Sequence, residues 1–303
     1  MTHRTRTRSA LSATAAISLA LAGTLLVAAP ASAAVFTVAD ETDLIIAINA
    51  ANGNPDADTI NLTGTGFTLS GDLPTIVYPV SIVGPGMGTF TLDAANHRAF
   101  RFDGSVNGIF DASVSGLTIE HAGVTLNDGG IHSTDTNLQI STVTVTESQR
   151  GLNVLGGSVT VTDAFFTDNV NNGVYLFLEN TSDTEFLRVQ STGNGLYGFL
   201  AELHDGVSLE ITDTQSNDNA QNGFLIDAYD QSTLTITDTT AELNDQYGFG
   251  LYLENDVTAF VTNSSALNNA FIGFQIWASH DVEATVVGAT ANDNATGFDI
   301  VVS

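Results

Sequence analysis

Cysteine and lysine are both absent from the 303 residues, and only five prolines and one tryptophan occur. Without cysteine the fold has no disulfide framework, although an exported chain could have used one. Without lysine the basic side chains are seven arginines and six histidines, against 34 acids. The formal charge of −27 repels nucleic acid and anionic lipid, so neither is expected as a partner. Apart from Leu11–Ala29 no run is apolar enough to span a bilayer. Helical spacing is scarce as well, being confined beyond that run to one short stretch near residue 45.

The N-terminus has the plan of an export signal. Arg4, Arg6 and Arg8 form a positive start, Leu11–Ala29 an apolar core, and Ala31-Ser32-Ala33 a small-residue cleavage pattern. The arginines alternate with threonine, so the general secretory route is expected in place of the twin-arginine one. Residues 1–33 are therefore expected to be removed, with the mature chain secreted or held at the cell surface. That leaves four arginines against 34 acids, a net charge of −30. The charge has two readings, a solvated acidic surface and a binder of divalent cations. Calcium is the cofactor the second reading would supply, and none is required.

A repeat dominates what remains. Asn169, Asn194, Asn219, Asn244, Asn269 and Asn294 recur every 25 residues. Gly173, Gly198, Gly223, Gly248 and Gly273 stand four residues after the first five, each followed by an apolar residue. Between these markers the hydrophobic period is two, as in Phe199, Ala201 and Leu203, or Phe224, Ile226 and Ala228. Asp and Asn cluster between strands, as turn residues do. Short strands returning at a fixed period must stack in parallel on their own equivalents. The expected fold is thus all-β: a single-stranded right-handed parallel β-helix with a short N-terminal capping helix. Asp43–Ala51 supplies the cap, with Thr59–Leu62 expected as the first strand. Residues 34–107 form the cap and first coils, and 108–303 the regular coils of about 22 to 25 residues. The asparagines form a structural ladder inside, and Phe199, Phe224, Phe249 and Phe274 an aromatic column.

The stretch DLIIAINAANGNPDADTINL, followed by FTLSGDLPTIVYPVSIVGPG, resembles the N-terminal region of exported bacterial right-handed β-helix repeat proteins of the pectate-lyase-like superfamily. Some of these carry a Cys-Ser-Leu-Arg-Glu-Ala motif, where this chain reads Glu41-Thr42-Asp43-Leu44. The resemblance implies fold and export. It spans lyases, hydrolases, epimerases and adhesins, so it implies no single activity. Lyases of that superfamily pair acidic calcium ligands with a proton-removing Arg or Lys. Arg98, Arg101, Arg150 and Arg188 are all expected off the outward strand surface, which argues against that chemistry.

Strand alternation points Tyr175, Phe177, Glu202, Asp227, Tyr252 and Trp277 outward, and the following turn adds His204 and Tyr229. Sugar rings offer C–H faces to aromatics and hydroxyls to carboxylates, so this face suits a polysaccharide or cell-surface glycan. Tyr175, Phe177, Tyr229, Tyr252 and Trp277 are the candidate contacts. Glu202 and Asp227 fall at the same position of adjacent coils, where one carboxyl raises the other's pKa or both recruit a cation. With His204 they are the candidate catalytic groups. Asp205 and Asp230 in the next column are candidate metal ligands. The expectation is a glycan-binding, adhesive or structural module, with a polysaccharide lyase, hydrolase or epimerase as the alternative. The last residues, Phe298–Ser303, read as the opening strand of a further coil. Its unpaired edges suggest end-to-end self-association.

Overall fold

A computed structural model describes residues 32–303, except 124, 126 and 127. The expected export signal lies outside the described residues but for its last two, Ser32 and Ala33. The described chain is a parallel β-solenoid in which every strand pairing is parallel. The first rung comes earlier than expected. Val35–Val38 pairs with Asp58–Leu62, so the strand expected first is the second. No alternating pattern of useful length announces a strand of only four residues.

Between them lies the helix Glu41–Ala51. Asp40 caps it, its side chain accepting the Asp43 N–H at 2.9 Å, and Glu41 and Asp43 complement the positive end of the helix dipole. Leu44, Ala47, Ile48 and Ala51 are buried at i, i+3, i+4 and i+7, in one cluster with Val38, Ile60 and Leu62. Asn52 fastens the far end by donating to the Thr75 carbonyl at 2.7 Å and accepting from Val77 N–H at 2.9 Å.

Each regular coil has three strands, for example Phe199–Leu203, Ser208–Thr212 and Gln215–Asn217. Their corners use the left-handed backbone region that Asp, Asn and Gly tolerate best. Asp163, Arg188, Asp213, Asp238 and Asn263 hold φ of 49–53° at one corner. Asp168, Asp218, Asn268 and Asp293 hold 54–57° at another, just before the ladder asparagines. Much of the acidity is therefore turn chemistry.

The ladder itself is regular. Asn194 donates both its backbone N–H and its Nδ2 to Asn219 Oδ1, each at 3.0 Å, and its second amide hydrogen to the Phe166 carbonyl at 3.1 Å. Asn219 repeats the pattern on Asn244 and the Ser191 carbonyl, and Asn244 on Asn269 and the Ser216 carbonyl. The recurrent glycine follows from this. A Cβ on Gly198 would lie 2.8 Å from Asn219 Nδ2 and 2.7 Å from the Gly223 carbonyl oxygen, with Ser216 Oγ closer still. Beside the ladder runs the aromatic column, with ring centroids 4.9 Å apart from Phe199 to Phe224 and from Phe224 to Phe249, then 4.5 Å to Phe274.

The change of period has a structural cause. Phe177 pairs with Leu155 and Glu185 with Thr160, so eight residues on the later coil span what five span on the earlier one. Before this point, strands such as Leu152–Thr162 run unbroken through that corner. After it, a turn projects there, centred on Asn180-Thr181, Asp205-Gly206, Asp230-Gln231 and Asn255-Asp256, all at positive φ. Three added residues per coil thus raise a wall along one edge of the first-strand surface.

Candidate functional site

The first strands stack in register, so their outward residues form columns. Phe177, Glu202, Asp227, Tyr252 and Trp277 are successive partners in one column, and Tyr175, Leu200, Leu225, Gly250 and Gln275 in the next. The projecting turn contributes Glu179, His204, Tyr229 and Glu254. On the opposite edge stands the residue before each glycine: Arg150, Asn172, Tyr197, Asn222 and Tyr247. Two walls and a floor enclose a cleft of about 460 Å³, lined by Tyr197, Asn222, Leu225, Asp227, Tyr229, Gln246, Tyr247, Tyr252, Glu254 and Trp277. Four of the chain's six tyrosines and its single tryptophan are in this one place. A hollow of about 300 Å³ near Pro55, Pro79 and Asp111 has no comparable lining.

Asp227 is the electrostatic centre. Burial, then the Glu202 carboxylate across the rung, push its pKa up to about 6, with His204 opposing. No hydrogen bond or ion pair from the described residues reaches its carboxylate. Burial is also the main cause that raises the Tyr197, Tyr229 and Tyr252 hydroxyls, and the Asp227 charge adds to it in each case. Tyr252 donates its hydroxyl to Gln275 Oε1 at 2.8 Å. Asn222, 3% exposed, accepts the Tyr247 backbone N–H at 3.2 Å and so fixes the wall position of that ring.

Because the native pKa of Asp227 lies above that of a free carboxyl, the folded state holds a proton the unfolded chain has released. The resulting stabilisation is complete below about pH 4 and lost as pH rises through about 6. Asp227→Asn, which mimics the protonated group, is expected to be more stable than wild type at pH 7 and equal to it near pH 4. Melting curves at the two pH values check this, and an equal shift at both would refute it.

Of the residues expected from sequence, Asp227, Tyr229, Tyr252 and Trp277 line the cleft, and Glu202 is the rung neighbour of Asp227. His204 stacks on Tyr229 at 4.9 Å and 10° and meets Phe177 at 5.6 Å. Tyr175 and Phe177 lie outside the cleft. Asp205 and Asp230 occupy the projecting turns at φ of 56° and 51°, with Asp230 accepting from Asn255 Nδ2 at 3.1 Å. A group of three side chains near enough to share an ion, among the described residues, is Asp93, Glu120 and His121. There His121 already bridges Asp93 and Glu147, at 3.0 Å each.

The arginines need correction. Arg150 is not remote from the surface, because its guanidinium stands 4.2 Å over the Tyr175 ring and bonds Asn153 Oδ1 at 3.0 Å. Arg101 begins the same outward column, continued by His132, Asn153 and Tyr175. Both lie at the N-terminal end of the surface, away from the cleft. Arg188 and Arg98 are engaged elsewhere, with Asp163 at 2.7 Å and Asp128 at 3.1 Å. Tyr197, Asn222, Gln246 and Tyr247 were missed by strand alternation, although the asparagine register marks them two or three residues beyond each ladder position.

Residues 102–249 match the family described as the right handed beta helix region. No curated protein matches the chain in sequence. Among solved structures, the A-module of a mannuronan C-5 epimerase from Azotobacter vinelandii is 12% identical, covering 86% of this chain and 95% of that one with a TM-score of 0.48. A periplasmic alginate epimerase is 10% identical over 88% and 84%, at 0.46. A thermostable α-1,3-glucanase from Streptomyces thermodiastaticus is 13% identical over 90% and 68%, at 0.41.

Proposed function

We propose that this chain, a right-handed parallel β-helix, is an exported glycan-binding protein whose ligand lies in the cleft between Tyr197 and Trp277. The observation that carries the reading is the lining: four tyrosines and a tryptophan around a half-buried carboxylate and two side-chain amides. Such a cleft offers ring faces to sugar C–H groups and polar atoms to hydroxyls, and its concave, largely preformed shape is that of a small-molecule site. Its position on the regular coils leaves room for a chain of sugars to run along the solenoid.

One observation favours a second reading, catalysis. Asp227 keeps a proton to about pH 6 while Glu202 stands across the rung, the division of labour that general acid chemistry at a glycosidic bond uses. Incubation of residues 34–303 with a panel of polysaccharides separates the two. Retention of a polysaccharide without new reducing or unsaturated ends is the expected result. Product formation that Asp227→Asn abolishes would replace binding with catalysis, and neither retention nor product would reject both.

A further inference from the structure

The chemistry of the cleft also bears on which sugar it takes. Its ionisable lining groups besides the tyrosines are carboxylates, Asp227 and Glu254, and Glu202 adds a third from the neighbouring rung. No arginine lines it, and the chain has no lysine. Arg150, the cation of the same wall, is spent on Tyr175 and Asn153 beyond the cleft. The nearby imidazoles are also engaged, His280 with Glu254 at 3.4 Å and His204 against Tyr229. Asp227 thus sits half-buried with no hydrogen bond or ion pair from the described residues, in a cleft that five aromatic rings also line. A carboxylate beside ring faces is an arrangement that attracts an organic cation through charge and through the ring quadrupoles together.

Resting on the glycan reading above, we infer that the cleft selects amino sugars with a free amine, the ammonium facing Asp227 and the sugar ring against Tyr247 and Trp277. A uronate would bring its own carboxylate against Asp227, Glu202 and Glu254 and be repelled. N-acetylation of the amine removes the charge and with it the preference, while leaving the ring contacts.

Trp277, as the sole tryptophan, makes the test specific to this cleft, since fluorescence excited selectively at tryptophan reports from nowhere else. Residues 34–303 are titrated at pH 7 with glucosamine, N-acetylglucosamine and galacturonate oligomers of equal length, with calorimetry alongside. The glucosamine oligomer is expected to bind about tenfold more tightly than the acetylated one, the effect of one charge-assisted contact. Added salt should weaken that preference, and Asp227→Asn should remove most of it. Equal affinity for the glucosamine and acetylated oligomers would overturn the amine inference and leave the glycan reading standing. So would uronate binding as tight as that of the glucosamine oligomer. Failure of all three to bind by either measurement would overturn the amine inference, and retention in the polysaccharide panel then decides the glycan reading separately.

Discussion

Asn219→Ala is expected to destabilise the solenoid by about 4 kcal/mol, a larger effect than any surface substitution. The residue is 1% exposed and serves both neighbouring coils. Its Oδ1 accepts the backbone N–H and the Nδ2 of Asn194, and its Nδ2 serves Asn244 Oδ1, the Ser191 carbonyl and Ser216 Oγ. Alanine orphans two buried donors and one buried carbonyl at once, at about 1–3 kcal/mol each, and leaves a cavity too polar to relax by apolar collapse. Asn294→Ala is the internal comparison. It removes the same bonds to Asn269, at 2.8 and 2.9 Å, but from a half-exposed position where water can replace the amide. Its expected cost is about 1 kcal/mol. Urea unfolding followed by circular dichroism measures both. A cost for Asn219→Ala within about 1 kcal/mol of that for Asn294→Ala would mean the ladder is incidental to stability.

The fold was legible because its two strictest constraints leave identical residues behind. The amide stack admits asparagine and little else, and the backbone approach beside it admits glycine, so Asn219 and Gly223 print the register directly. The positive-φ corners add Asp and Asn at further fixed offsets, as at Asp213 and Asp218. The site was only half legible. Period-two alternation identifies Asp227, Tyr252 and Trp277 because a strand fixes where their side chains go. Tyr197 and Tyr247 precede the strand, where no alternation applies, and only the neighbouring Asn172 and Asn222 amides set their place. Arg150 escaped for the same reason. The lengthening of the period, from Gly151–Gly173 to Gly173–Gly198, marked the projecting turn that makes the second wall. Its meaning needed the pairing of Phe177 with Leu155. The short strand Val35–Val38 carried too few residues to show any period.

The walls make the sharpest demand on binding. Tyr197 and Tyr247 occupy the same wall position two coils apart, with Asn222 between them, a separation of about 9.6 Å at the usual strand spacing. That is a disaccharide repeat rather than a single sugar, so each ring is expected to stack on alternate units of one oligosaccharide. Tyr247 is the more central, since it stands on an inner coil of those that line the cleft and Tyr197 on the outermost. Tyr247→Ala should therefore weaken oligosaccharide binding about 100-fold, the range for an aromatic anchor at the middle of a desolvated contact. Tyr197→Ala should weaken it less, by about tenfold, and the double variant by roughly the product, because the two rings do not touch the same sugar. Thr235→Ala, on the outward face of the second strand, should leave affinity as it is. Isothermal titration at fixed pH and salt, with melting curves to verify folding, tests the series. Binding by Tyr247→Ala within twofold of wild type would place the ligand elsewhere on the solenoid.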